Sequence, residues 1–395
     1  MTETAGDAIT LPLERDPRRP YDPPRGLAEL RAHSPLTRLR FPDGHLGWLA
    51  TSHELVRAVL ADPRFGARYE LVHDPVNDSG GTLPPAPPGD LSGIDAPGHT
   101  RLRRAVAARF TVRRMGLLTE RIHRICAEHL DAMDRTTPPL DLMSAYAQPV
   151  PALTICELLG VPYDDHEFFQ QQVSTVIEPE SFEQMGAAWQ EVAEYLARLA
   201  VAKRARPTDD VLSELTATDL TDEEVAGLAT FLLGAGLETT RNMIAFGVMV
   251  LLDHPDQLAA LRADPDLADS AVEELLRYVT IAHTGARAAL EDVELGGQLI
   301  RAGETVALSG SAANRDPDRF DDPDVLDLRR RATGHVAFGH GAHLCLGHQL
   351  ARVELRIALP ALLTRFPRLA LAIEPEQVPL RYGNLLGVRR LPVTW

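Results

Sequence analysis

Cys345 stands in a glycine-punctuated stretch, Phe338-Gly339-His340-Gly341-Ala342-His343-Leu344-Cys345-Leu346-Gly347. That stretch runs directly into His348-Gln349-Leu350-Ala351-Arg352-Val353-Glu354-Leu355. The glycines supply positive φ or let the backbone approach something bulky. From Leu346 the apolar spacing becomes helical, with Leu350, Val353 and Leu355 on or near one face. A cysteine delivered to a helix N-terminus sits among unpaired N–H groups at the positive end of the dipole, which favours its thiolate. Its chemistry is that of a metal ligand or a nucleophile. Three readings compete. A structural core cysteine is the commonest fate of a lone Cys, but it has little need of flanking glycines. A zinc ligand would draw on His335, His340, His343 or His348, although neither Cys-x-x-Cys nor a His pair at helical spacing is present. The third is a single thiolate on haem iron, the loop lying flat against a planar cofactor.

A second chemical stretch, Ala235-Gly236-Leu237-Glu238-Thr239-Thr240, interrupts a long apolar run. It reads either as a hydrogen-bonded polar cluster that kinks a buried helix, or as an acid and an alcohol that deliver protons beside a reactive centre. In the second reading Gly236 leaves room for a ligand. His99 and Arg103, spaced i, i+4, share a helix face and read as an anion-binding pair or as a solvated basic face.

Together these stretches resemble the cytochrome P-450 superfamily. Phe338 to Gly347 meets every fixed position of the family's Phe-Gly-x-Gly-x-(His/Arg)-x-Cys-x-Gly loop, and Ala235 to Thr239 matches its (Ala/Gly)-Gly-x-(Asp/Glu)-Thr motif. Glu274 and Arg277 match its Glu-x-x-Arg motif, and the resemblance covers the chain from about residue 20 onward. It implies a mainly α fold with a small β portion, read here as a single haem-binding domain over 1–395. It makes Cys345 the proximal ligand of haem b, and His99, Arg103, Arg287 and His343 the partners of the haem propionates. Phe338, Gly339 and Gly347 frame the cofactor, Glu238 and Thr239 deliver protons to bound dioxygen, and Arg330 completes a buried network with Glu274 and Arg277. The implied activity is monooxygenation, one atom of O2 entering a small-molecule substrate by C–H hydroxylation or epoxidation. No Gly-x-Gly-x-x-Gly loop and no iron–sulfur cysteine set is present, so the resemblance also implies a separate ferredoxin and an NAD(P)H-dependent ferredoxin reductase. A haem protein that only binds a gas or ligand is the rival, and the Glu238–Thr239 pair argues against it.

The remaining sequence must position these groups. A net charge of −16 argues against nucleic acid as a partner. Cys126 and Cys156 fall in helical stretches as core residues, and the odd, widely spaced cysteine set fits a reducing cytoplasm. Residues 1–19 carry acids and prolines and no apolar leader, so no signal peptide and no membrane anchor are expected. A monomer is expected. A strand over 46–51 leads to a helix opened by Ser52. The irregular, Pro- and Gly-rich 70–93 stretch reads either as plain disorder or as a lid; the resemblance places it, with a second substrate-facing turn at 178–183, over the pocket, where a lid would suit a bulky natural-product substrate. The density of Arg101, Arg103, Arg104, Arg109, Arg113 and Arg114 suggests that something anionic meets this region. Arg104, Arg113 and Arg352 are the expected ferredoxin face. Thr221 to Glu224 forms a capping box that opens a helix of about thirty residues, apolar nearly all round and therefore central. Its mid-helix Glu238 and Arg241 argue against a membrane span. Short strands are expected over 286–290, 293–295 and 305–308, with the Gly383-Asn384 turn near the pocket. Relatives often carry a Pro after the Glu-x-x-Arg helix; 279–285 has none.

Overall fold

The structure, a computed structural model, describes residues 8–177 and 181–395. Its axis is the helix Asp222–Asp253, which at 32 residues is about 48 Å long. The expected capping box starts it: Thr221 Oγ1 accepts from the Glu224 N–H, and the Glu224 carboxylate accepts from the Thr221 N–H. His254 and Pro255 end it, because a proline cannot continue the ladder. Every residue from Thr240 to Leu251 is buried, so the second half of this helix has no solvent face. Around it pack the helices Pro149–Leu159, Phe182–Ala205 and His348–Arg365. At Gly247 a Cβ would already press on Leu359 at 3.2 Å, so the small residue sets how closely the His348–Arg365 helix, which follows the cysteine loop, approaches. Cys126 and Cys156 are buried in helices, as the sequence predicts. Among the described residues no single helix is long and apolar enough to cross a membrane.

The small β portion is a five-stranded sheet in the order Leu36–Arg40, Leu46–Ala50, Thr305–Ser309, Thr284–Ala289, Phe65–Gly66. Only the pairing of Leu46–Ala50 with Thr305–Ser309 is parallel. The strands expected over 46–51, 286–290, 293–295 and 305–308 are found within a residue or two, whereas Leu36–Arg40 and Phe65–Gly66 were not foreseen. The mainly α architecture with a small sheet is the one expected.

Two expectations change. The arginines around the Gly98–Ala107 helix are largely matched by this chain's own acids. Arg101 pairs with Glu224, Arg109 with Glu214 at 3.5 Å, Arg113 with Asp209 at 2.8 Å, and Arg114 with both Asp209 and Glu214. The density of positive charge therefore fastens distant segments, and Arg113, though exposed, is paired with Asp209. Arg352 is likewise committed to Glu273 and lies over the Phe338 ring at 4.6 Å. Arg104 remains exposed.

The 70–93 stretch has no helix or strand, yet it is fastened at both ends. His73 bonds Asp43 at 2.6 Å and stacks on His45, and Asp74 accepts from the Asn384 side chain at 2.9 Å. At the other end Gly89, with φ +88°, lies against the backbone of the central helix, where a Cβ on Gly227 would sit 1.8 Å from the Pro88 carbonyl oxygen. Of the 178–183 turn, residues 178–180 lie outside the described residues.

The network foreseen for the Glu-x-x-Arg motif is present. Glu274 and Arg277 have fully buried side chains and form paired hydrogen bonds of 2.8 Å, and Arg330 adds a third contact to Glu274 at 3.1 Å. A buried ion loses its hydration, and only partners in good geometry offset that loss. Glu274→Ala leaves Arg277 buried without its counter-charge, and the expected loss is about 3–5 kcal/mol of stability in denaturant unfolding. A loss below about 1 kcal/mol would mean that water or another acid takes over.

Candidate active site

The Cys345 loop and the central helix enclose a cavity of about 450 Å³. The loop is built by local geometry. Cys345 N–H donates to the Phe338 carbonyl at 2.9 Å, closing a turn around the short helical turn Gly341–His343. Gly339 and Gly341 take φ near +71° and +72°, and a Cβ on Gly341 would strike the Leu60 carbonyl oxygen at 2.2 Å. Gly347 differs: it has ordinary φ, and a Cβ there would meet no protein atom within 4 Å. Because Gly347 lines the cavity, its bare surface extends the space in front of Cys345. Burial pushes the Cys345 thiol up, against the opposing pull of the Gly347 N–H and of Arg103 and Arg352. Helix-end stabilisation alone therefore does not ionise it, whereas a coordinated metal ion deprotonates such a thiol outright.

The nearby histidines do not converge on it. His335 bonds Glu273 at 3.2 Å, His340 faces Arg57, and His348 accepts from Arg352 at 2.7 Å. No cluster of three or more metal-binding side chains occurs among the described residues, which removes the zinc reading.

At one edge of the cavity His99, Arg103, Arg287 and His343 come together from three separate elements. His99 is buried with Nε2 unpartnered, and its ring lies 4.0 Å from that of His343. Arg103 donates to the Leu344 carbonyl, and Arg287 to the adjacent Ala286 carbonyl. Burial holds both guanidinium groups below their usual pKa, and burial together with Arg287, His99 and Arg103 pushes His343 down to about 3. Asp95 is the nearby acid, 4.0 Å from His343. Clustered donors short of acceptors suit a pair of carboxylates, and a mostly apolar cavity lined by one thiol suits the porphyrin that carries them. The donor set and the cradle thus fit haem.

On the central helix Thr239 lines the cavity, its hydroxyl donating to the Ala235 carbonyl at 2.9 Å. Gly236 lines it too, and a Cβ there would press on Ile155 at 2.7 Å, so this glycine serves helix packing as well as ligand space. Glu238 is not among the lining residues. Its carboxylate is held by Arg241 at 3.0 Å, by Arg381 and by the Asn242 amide at 2.9 Å. The acid and the alcohol of the motif are adjacent in sequence and point to different surroundings. The Gly383-Asn384 turn does not reach this cavity; Gly383 borders a second one beside it.

One lining residue escaped sequence reasoning. Glu354, nine positions beyond Cys345, is buried, with Oε1 unpartnered, and burial raises its carboxyl to about 8. The hydroxyls of Thr240 and Thr154 oppose that rise. The available signal was an acid set among Leu350, Val353, Leu355 and Ile357 on a buried helix face. An acid whose folded pKa lies above its unfolded value of 4.5 contributes fully below that value and loses the contribution as pH rises through about 8. Stability is therefore expected to fall across that window by up to about 1.4 kcal/mol per pH unit. Glu354→Gln should flatten this slope in denaturant midpoints measured at stepped pH; an unchanged slope would assign it to other groups.

Comparison with known proteins identifies the family. The family described as cytochrome P-450 matches residues 165–382. Cytochrome P-450 105C1 from a Streptomyces species is 49% identical, with 95% of this chain and 96% of that protein covered. Pentalenic acid synthase from Streptomyces avermitilis is 41% identical over the whole of both chains. The crystal structure of cytochrome P-450 MoxA from Nonomuraea recticatena superposes with a TM-score of 0.91 at 42% identity, covering 98% of each chain. The chain belongs to the cytochrome P-450 family and is a bacterial monooxygenase with haem b as its cofactor.

Proposed function

We propose that this protein oxygenates a bulky natural product, with Cys345 as the proximal haem ligand and Thr239 as the proton-handling alcohol. The observation that carries this assignment is that Cys345, Thr239 and the four propionate-type donors all line one cavity. When bound, the haem supplies activation of O2 and transfer of one oxygen atom to the substrate, the other leaving as water. Cys345 donates electron density from its thiolate. His99, Arg103, Arg287 and His343 hold the propionates and so fix the cofactor's rotation in the cavity. Phe338, Gly339 and Gly347 shape the surface on the thiolate side. Thr239 holds a proton donor at the cavity wall, and Glu238, tied between Arg241 and Arg381, is the acid that resupplies it when that tie loosens.

Apolar walls from Phe110, Ile155, Phe231 and Ile281 favour a large apolar substrate body. The name of the similar pentalenic acid synthase points to the same broad class of compound. Electrons come from a ferredoxin and its NAD(P)H-dependent reductase, and exposed Arg104, next to the Arg103 that bonds the cysteine loop, belongs to the docking face. The protein acts as a monomer in the cytoplasm, a reading that its three free cysteines support.

Two experiments test the assignment. Cys345→Ala should abolish the far-red-shifted Soret band of the reduced, carbon-monoxide-bound protein, while Cys126→Ala and Cys156→Ala retain it. A normal band in Cys345→Ala would end the reading. Thr239→Ala should keep consuming NAD(P)H but yield about tenfold less product per equivalent, the balance appearing as hydrogen peroxide. Wild-type coupling in that variant would remove Thr239 from proton handling.

A further inference from the structure

A second cavity, of about 260 Å³, adjoins the first, and Thr284 lines both. Its apolar walls include Leu11, Leu13 and Leu49; its polar groups include Arg15, His283 and Tyr382. Arg15 is the one ionised side chain among the lining residues. Its Nη1 donates to the carbonyls of Asp22, at 2.7 Å, and Pro20, at 3.4 Å. Among the described residues its other N–H groups have no partner, and no carboxylate lies within ion-pair distance. The neighbouring Asp22 carboxylate is already taken by Arg315 and Arg19. His283 bonds the Thr284 hydroxyl through Nδ1, while its buried Nε2 is unpartnered. Burial and Arg15 push His283 down to about 4, so it is neutral at physiological pH. Tyr382, half exposed, stands where the cavity meets solvent.

A guanidinium in apolar surroundings with no carboxylate in contact is costly, and burial opposes the charge of Arg15 against the weaker support of Tyr382 and the more distant Asp22. Two backbone carbonyls anchor one nitrogen and leave the rest of the planar fork free. That fork matches a carboxylate in bidentate geometry. A neutral imidazole nitrogen and a phenol in the same lining can complete the hydrogen bonds of the second oxygen.

We propose that the second cavity binds the carboxylate of an organic acid with an apolar body, Arg15 being its counter-charge. The shared wall at Thr284 gives this carboxylate two sources. It is either the remote end of an extended substrate whose reacting end lies in the haem cavity, or a separate small acid bound alongside. The first source deepens the function proposed above and rests on it; the site itself rests only on the second cavity.

The test uses haem-loaded protein, with dodecanoate, methyl dodecanoate and benzoate as probes in equilibrium dialysis. Wild type is expected to bind dodecanoate at least about tenfold tighter than its methyl ester. Arg15→Gln should erase that preference, and Arg15→Lys should retain part of it. If dodecanoate also shifts the haem spin state and benzoate does not bind, the acid is the end of an extended substrate. If benzoate binds in an Arg15-dependent manner without a spin shift, the acid is a separate ligand. Equal binding of acid and ester by wild type overturns the proposal, and this comparison does not depend on how any variant folds. A preference that persists in Arg15→Gln overturns it as well. The carbon-monoxide spectrum of the same preparation keeps the two readings apart: a thiolate band without acid preference removes only this subsite.

Discussion

A carboxylate sealed from water must be neutralised or surrounded, and Glu274 is surrounded. Its oxygens accept from Arg277, Arg330 and the Asp327 N–H, which belong to a helix and to the irregular segment that follows the sheet. The same contacts reach onward. Arg277 also donates to the carbonyls of Asn314 and Pro323. The Asn314 side chain in turn donates to Thr280 and accepts from the Val336 N–H, two residues before Phe338. One desolvated charge thus fixes the start of the cysteine loop at one end and the strand-forming segment with Arg287 at the other. Breaking any member leaves others buried and unpaired, which is why the arrangement behaves as a unit.

The central helix solves a related problem in the opposite wall. Consecutive residues of a helix point about 100° apart, so an acid and an alcohol next to each other in sequence cannot share one environment. Thr239 takes the cavity, and Glu238 takes the groove where Arg241, Asn242 and Arg381 meet. Asn242 extends this tie by accepting the Val388 N–H, joining the helix to the C-terminal hairpin. The polar interruption is therefore both a hydrogen-bonded cluster and part of the cavity wall, and the two readings of its sequence do not exclude each other.

What could be read in advance was what is local. The capping box at Thr221 and Glu224, the stop at Pro255 and the glycine-framed cysteine loop each need only neighbours in sequence. Arg330 as the partner of Glu274 was legible through family resemblance alone, since 56 positions separate the two. The arginines near the Gly98–Ala107 helix misled because their acids, Asp209, Glu214 and Glu224, lie about a hundred positions away. The surroundings of Glu238 were hidden for the same reason: its partner Arg381 is 143 positions distant. Arg15 and His283 gave no signal, because a cavity between an N-terminal segment and a strand has no sequence periodicity. Thr280, with φ 53°, shows how the chain turns where relatives often carry a proline; its hydroxyl donates to the Arg277 carbonyl and accepts from Asn314, holding a conformation unusual for a β-branched residue.

The backbone contact between Gly89 and Gly227 bears on how such an enzyme diversifies. With one end of the 70–93 stretch seated on the central helix and the other tied through His73 and Asp74, the fold registers only the positions of the two anchors. The exposed residues between them contribute little to the core, and loop-closure entropy grows only slowly with length. Insertions and deletions there are therefore nearly neutral for stability while they reshape the surroundings of Leu91 and Ser92 at the cavity. Selection for new substrates can act on a segment that the rest of the protein scarcely constrains.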